Sequence, residues 1–306
     1  MKINSVWQVG DVKITRVAEL DDFALDPEFI FDIKPEAVKG HDWLSPNFIT
    51  EDGQLIVSIH AFIIESAGRR IVVDTCLGND KKRHTPSWND MHGPFLSDIA
   101  AAGYPAETID TVVCTHLHVD HVGWNTRLVD GRWIPTFPNA RYLFGRIEWD
   151  HWRHEMEAEA AAAAADDTHA AHLVETGVVM GDSVLPIIEA GLHDLVETDH
   201  RITDEVALEP TPGHTPGHVS VAISSRGERA VITGDMVHHP LQFSLPELGT
   251  HVDWNFDMGG ETRRAFFSRH ADKPVLILGT HFAKPTAGWV VSRGDGWRFS
   301  LDRPAA

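Results

Sequence analysis

The 306 residues carry a formal charge of −19, from 26 Lys and Arg against 45 Asp and Glu, and such a field repels polyanions and disfavours a general nucleic-acid binder. Hydrophobic residues at 42% and charged residues at 23% exclude a disordered chain, a collagen-like repeat and a disulfide scaffold. The length suits one large domain or two small ones with a sizeable core.

From the amino terminus, KINSVWQVGDVKIT holds no apolar stretch of signal-peptide type, and no apolar run is long enough to span a membrane. A cytoplasmic protein is expected. VKITRVAEL, LIVSIHAFIIES and RRIVVDT are rich in β-branched residues and read as strands, with Gly68 marking the hairpin between the last two. Residues 77–93 form a polar loop, FLSDIAAAG a helix stopped by Gly103, and IDTVVCT a strand that runs directly into HLHVDHVGWN. Cys76 and Cys114 lie in or beside these apolar runs, so they are expected as reduced core thiols rather than a bridge.

Between 145 and 200 the texture becomes Ala- and Glu-rich, and the run from WDHWRHEMEAEAAAAAA onward predicts a helix followed by a second over SVLPIIEAGLHDL. Strands return in EVALEPT, HVSVAIS, RAVITGD and PVLILGT, and GWVVSRGDGWRFSL closes the chain as two strands around Asp295-Gly296. No Gly/Ser- or Pro-rich linker separates two cores. The expectation is a single α/β domain over 1–306 with a helical insertion at 145–200.

The 20 histidines against 2 tyrosines make position the informative question. Thr115-His116-Leu117-His118-Val119-Asp120-His121-Val122-Gly123 packs four potential metal ligands into six residues at the end of an apolar strand. There, side chains two residues apart point to one side, and the following turn can bring Asp120 and His121 to a neighbouring position. Three later apolar strands also end in polar donors: EVALEPTPG in His214, RAVITG in Asp235 and PVLILGT in His281. Carboxyl ends of several strands are where α/β architectures build sites.

HLHVDH, then PGHTPGH, TGD and GTH, resembles the metallo-β-lactamase-fold hydrolase superfamily, from about Leu55 to the carboxyl terminus. The resemblance implies a four-layer αβ/βα sandwich. It implies two divalent metal ions: His116, His118 and His214 on the first, Asp120, His121 and His281 on the second, and Asp235 bridging. His218 and Asp74 would be supporting residues rather than ligands. His118 fits zinc-type dinuclear hydrolases, where flavodiiron oxidoreductases place a carboxylate; His121 and His281 argue against mononuclear iron dioxygenases. Nuclease branches need added basic regions that this acidic chain lacks. Zinc suits the donors, and manganese, cobalt or iron are compatible.

Two such cations about 3.5–4 Å apart repel by roughly 18 kcal/mol at an effective dielectric of about 20. Anions must therefore sit between and beside them: Asp235, Asp120 and a bridging hydroxide, which leave about one unit of positive charge for an oxyanionic transition state. Zinc lowers the pKa of bound water to about 7, so no serine nucleophile is required, and GxSxG is absent. The bridging hydroxide would attack, with Asp120 orienting it and passing a proton to the leaving group.

The nearest textures are the acyl-homoserine-lactone lactonases and the methyl-parathion-hydrolase-like enzymes, which carry a similar helical excursion. Lactonases typically have Tyr three residues after the bridging Asp, and His238 stands there, as in the organophosphate-hydrolase branch; it could donate to the oxyanion. Trp88, Trp124 and Trp254 are candidates for an apolar pocket wall, with core packing the plainer role for each. The expected substrate is a small ester, a lactone first, with a phosphotriesterase as the alternative. A thioesterase ranks lower, because the tail after His281 is short and mixed in charge. A binding module that turns nothing over is the reading from another class, and a homodimer is compatible with the resemblance.

Overall fold

The computed structural model describes residues 5–164 and 174–304. The helical reading of 165–173 lies outside the described residues, as do 1–4 of the amino-terminal segment. In chain order the first strands are β1 (Val6–Val9), β2 (Val12–Leu25), β3 (Leu55–Ser66), β4 (Arg69–Val73) and β5 (Thr111–Val113). They continue as β6 (Thr126–Val129), β7 (Arg132–Pro135), β8 (Arg141–Gly145) and β9 (His193–Val196). The last six are β10 (Val206–Pro210), β11 (Val219–Ser225), β12 (Glu228–Ile232), β13 (Val275–Leu278), β14 (Ala287–Arg293) and β15 (Gly296–Ser300).

Helices begin with the short α1 (Pro27–Ile30) and α2 (Pro35–Lys39), then α3 (Phe95–Ala101) and α4 (Val119–Val122). The longer α5 (Arg146–Ala164) and α6 (Val174–Val179) lead through a π-helical turn at Met180–Val184 into α7 (Leu185–Glu189). The last two are α8 (Leu241–Ser244) and α9 (Phe256–His270). No helix among the described residues is long and apolar enough to cross a membrane.

The chain forms two compact units, one built mainly of 61–197 and the other mainly of 20–60 and 198–306. Strands run in the order β1-β2-β3-β4-β5-β8-β9 in one sheet and β10-β11-β12-β13-β14-β15 in another, with β6-β7 a separate hairpin. In the first unit β4, β5, β8 and β9 are parallel neighbours. Their runs IVV, TVV and YLF are buried almost throughout, as expected of parallel strands covered on both faces. In the second unit β12 and β13 are the parallel pair, and the other neighbours are antiparallel. Its core gathers Phe48, Phe243, Phe267, Phe282 and Phe299 in edge and stacked contacts.

The α/β class expected from the sequence is what the chain forms, and β3 spans the LIVSIHAFIIES run. The β3–β4 turn is the two residues Ala67 (φ +50) and Gly68 (φ +76), the left-handed pair that a tight hairpin needs. Two readings change. The helix placed over SVLPIIEAGLHDL ends at Glu189; Gly191 (φ +68) turns the chain, and His193–Val196 pairs with β8 as β9. The last hairpin turns on Gly294 (φ +58) and Asp295, because Gly296 already pairs with Arg293.

The polar loop at 77–93 is anchored by charge. Lys81 is fully buried, with Nζ 3.8 Å from the centre of the Trp133 ring and 3.3 Å from Asp182 Oδ1. Arg83 makes a two-pronged pair with the same carboxylate at 2.7 and 3.0 Å. Burial pulls Lys81 down to about 8, with the Asp182 charge acting the other way. The π-turn carries Asp182 to these two cations.

Candidate metal centre

In the first unit the donors follow the end of β5. His118, extended, sits at the amino-terminal cap of α4, so Asp120 and His121 leave on the first turn of a helix immediately after it. The backbone is clamped from the 75–77 segment: Thr75 N donates to His121 O at 2.7 Å, Gly123 N to Cys76 O at 2.8 Å and Trp124 N to Thr75 O at 2.8 Å.

The hydrogen bonds assign the ring protons. Asp74, buried and at φ +58, accepts from Thr115 N at 2.8 Å, Thr115 Oγ1 at 2.9 Å and His121 Nδ1 at 2.9 Å. Since a carboxylate only accepts, His121 bears a proton on Nδ1 and turns Nε2 towards Asp120 Oδ1, 3.5 Å away. Thr115 spends its own hydroxyl proton on Asp74, so it accepts from His116 Nδ1 at 3.1 Å and leaves a lone pair on His116 Nε2. That nitrogen is 3.0 Å from His118 Nδ1, and the His116 and His121 rings are 4.0 Å apart.

The second unit repeats the pattern. His214 Nδ1 donates to Asp253 Oδ1 at 2.7 Å, and His281 Nδ1 to the Ser58 carbonyl at 3.0 Å. Their Nε2 atoms face the Asp235 carboxylate at 3.6 and 3.1 Å. His218 Nε2 accepts from Asp235 N at 2.8 Å, while its Nδ1 bonds within Thr211. His218 is thus a backbone anchor for Asp235. Donor atoms of His214, Asp235 and His238 lie within 4.8 Å of one another.

His238 differs from the other rings. Burial pulls its pKa down, against the pull of the Asp235 charge. Its Nε2 is 3.1 Å from Asp235 Oδ2, whereas Nδ1 has no hydrogen-bond partner among the described residues. A proton therefore sits on Nε2 and is given to Asp235. Asp253 lies well below the usual carboxylate range: burial alone would raise it, but the His214 bond, the His214 and His238 charges and the Thr250 hydroxyl outweigh that.

The donor set fits divalent cations. Imidazole lone pairs and carboxylate oxygens at 3.1–3.6 Å repel unless a positive charge lies between, and either an added proton or a metal ion provides one. The Nδ1–H bonds to a carboxylate, hydroxyl or carbonyl are the partners that metal-binding histidines almost always have.

Several supporting residues were not picked out in the sequence. Glu19 accepts from Leu77 N, Gly78 N and Trp124 Nε1 at 2.7, 3.2 and 2.7 Å; burial raises its pKa, and those bonds work in the opposite direction. Glu148, on the first turn of α5, accepts from Leu117 N at 3.1 Å and Trp152 Nε1 at 2.5 Å, and the Trp152 ring lies 5.1 Å from that of His118. Glu148 follows the carboxyl end of β8, so the strand-end rule that picked out His214 applies to it too. Of the three tryptophans, Trp124 is core, stacked on Phe95. Trp88 is half-buried in the loop, and Trp254 is 50% exposed. Cys76 and Cys114 are buried free thiols, each raised above the ordinary range by burial.

Comparison with known proteins gives one family. Residues 56–281 match the metallo-beta-lactamase superfamily. An N-acyl homoserine lactonase of Bacillus sp is 22% identical over 204 residues, 62% of this chain and 68% of the relative. The crystal structure of the hydrolase AbOPH of the beta lactamase superfamily superposes with a TM-score of 0.76 at 26% identity, covering 98% of each chain. AidC, a dizinc quorum-quenching lactonase in complex with a product, superposes with a TM-score of 0.74 at 19% identity, covering 98% of this chain and 97% of that one. At that identity the second likeness is one of fold.

Proposed function

The chain belongs to the metallo-beta-lactamase superfamily and is a metal-dependent hydrolase, and from that premise we propose that it opens carboxylic esters, lactones first, at a dinuclear centre. In this reading His116, His118 and His214 would hold one cation, Asp120, His121 and His281 would hold the other, and the Asp235 carboxylate would serve both. The observation that carries it is the proton pattern: His116, His121, His214 and His281 each commit Nδ1–H to a fixed acceptor and present Nε2 to the site. Bound cations would supply hydroxide at neutral pH and polarise the ester carbonyl.

The remaining work falls to the chain. Asp74, Asp253 and the Ser58 carbonyl hold three imidazoles in one orientation, so little reorganisation is left to the reaction. Asp120 keeps 14% side-chain exposure where His121 has none, which gives a proton a way on and off its carboxylate. It orients the nucleophile and passes that proton to the leaving alcohol. His238 holds Asp235 through Nε2–H, so the proton that the sequence offered to the oxyanion is directed to the bridging carboxylate.

The lactone reading is supported by the lactonase relatives and by the dizinc lactonase among the similar folds. Paired assays at matched metal content test it, one on an N-acyl homoserine lactone and one on an aryl phosphotriester. The expected result is a kcat/KM at least about tenfold higher on the lactone, a difference of 1.4 kcal/mol in transition-state binding. Faster phosphotriester turnover would overturn the lactone assignment and favour the organophosphate branch.

A further inference from the structure

The residues between α8 and α9 contain a carboxylate with no counterpart in the ligand motifs. The Asp253 side chain is fully buried, and its two oxygens have different neighbours. Oδ1 meets His214 Nδ1 at 2.7 Å and the Thr250 hydroxyl at 2.7 Å. Oδ2 accepts from Thr250 N at 3.0 Å and lies 3.8 Å from Arg263 NH1. The backbone locks the same contact from outside, since Trp254 N donates to His214 O and Asn255 N to Gly213 O, both at 2.9 Å. The buried Arg263 is itself tied to Pro246 O at 2.6 Å.

We propose that Asp253 is a positioning residue of the metal centre, which fixes the His214 proton on Nδ1 and so presents the Nε2 lone pair to a cation. The inference rests on the dinuclear reading above, but its tautomer half does not. A carboxylate accepts at both oxygens and can only hold His214 in the Nδ1–H form. An amide in its place has one acceptor and one donor end. Thr250 N–H and Arg263 NH1 are permanent donors on the Oδ2 side, so they draw the amide oxygen there. The NH2 then faces His214 Nδ1, while the Thr250 hydroxyl can rotate to accept. Nδ1 must become a lone pair, and the proton moves to Nε2, the nitrogen that faces Asp235.

Asp253→Asn is therefore expected to do more harm to metal binding than Asp253→Ala, although Asn preserves the packing better. Ring 15N chemical shifts of His214 in metal-free protein at pH 8 read the tautomer directly. Zinc affinity, by competition with a chromophoric chelator, reads the consequence, and melting temperature monitors the fold. The proposal predicts Nδ1–H in the parent and Nε2–H in Asp253→Asn. It predicts a zinc-affinity loss of about 10–100-fold in Asp253→Asn and a smaller loss in Asp253→Ala. An unchanged tautomer in Asp253→Asn overturns it, as do equal affinity losses that merely follow melting temperature. A parent protein that binds no zinc refutes the dinuclear reading, and the ring shifts still decide whether Asp253 sets the His214 proton.

Discussion

Asp120→Ala is expected to lower kcat about a thousandfold at matched metal content, close to 4 kcal/mol of transition-state stabilisation. Two effects combine in that number. In the proposed mechanism the substitution removes one of the two carboxylates that would offset the cations, and it removes the partly exposed group next to His121 Nε2 that would carry a proton to the leaving alcohol. A positioned acid or base is worth about 10²–10⁴ in rate. Because the group acts at the reacting atoms, the fall belongs in kcat with KM little moved. Near-parental turnover in a fully metallated variant would remove Asp120 from the mechanism.

Gly123→Ala should cost more than about 3 kcal/mol of stability, placing it in the tail of single-residue effects. The cause is space, since Gly123 has ordinary helical φ of −57°. A Cβ there would stand 1.8 Å from Leu77 O, 2.0 Å from Leu77 C and 2.7 Å from Cys76 O. All three are backbone atoms, so no side chain can swing away. Relief means separating 75–78 from 121–124, which breaks the Thr75–His121, Gly123–Cys76 and Trp124–Thr75 backbone bonds together. Those bonds seat His121, so the same variant should also bind metal more weakly. Denaturant unfolding within about 0.5 kcal/mol of the parent would show that the close approach is not required.

The seven proposed ligands were legible because each lies just past an apolar run, and four of them fall within six consecutive residues. Asp74 was legible for the same reason, at the end of IVVDT. What supports the second cluster was not. Asp253 is 39 residues from His214 in an irregular segment without periodicity, and only the fold brings them together. Helix α9 escaped because FDMGGETRRAFFSRH carries adjacent glycines that weaken a helical reading. Neither is required by space, since a Cβ on Gly259 would stand 3.4 Å from Arg263; the close approach constrains Gly213 instead, at φ +133, whose Cβ would lie 2.4 Å from Gly259 Cα. Strand β9 escaped because four residues so soon after α7 show too little alternation to separate strand from helix. The hairpin near the carboxyl end slipped by one residue, since Asp295-Gly296 is a strong turn pair in sequence, yet Gly294 takes the left-handed position.

The proposed dinuclear centre requires these imidazoles and carboxylates to share two cations. An anomalous-difference map from crystals of the metal-loaded protein tests it most directly. Two peaks per chain are expected, about 3.5–4 Å apart, with Asp235 between them, His116, His118 and His214 around one and Asp120, His121 and His281 around the other. A single peak, or metal bound by other side chains, would contradict it.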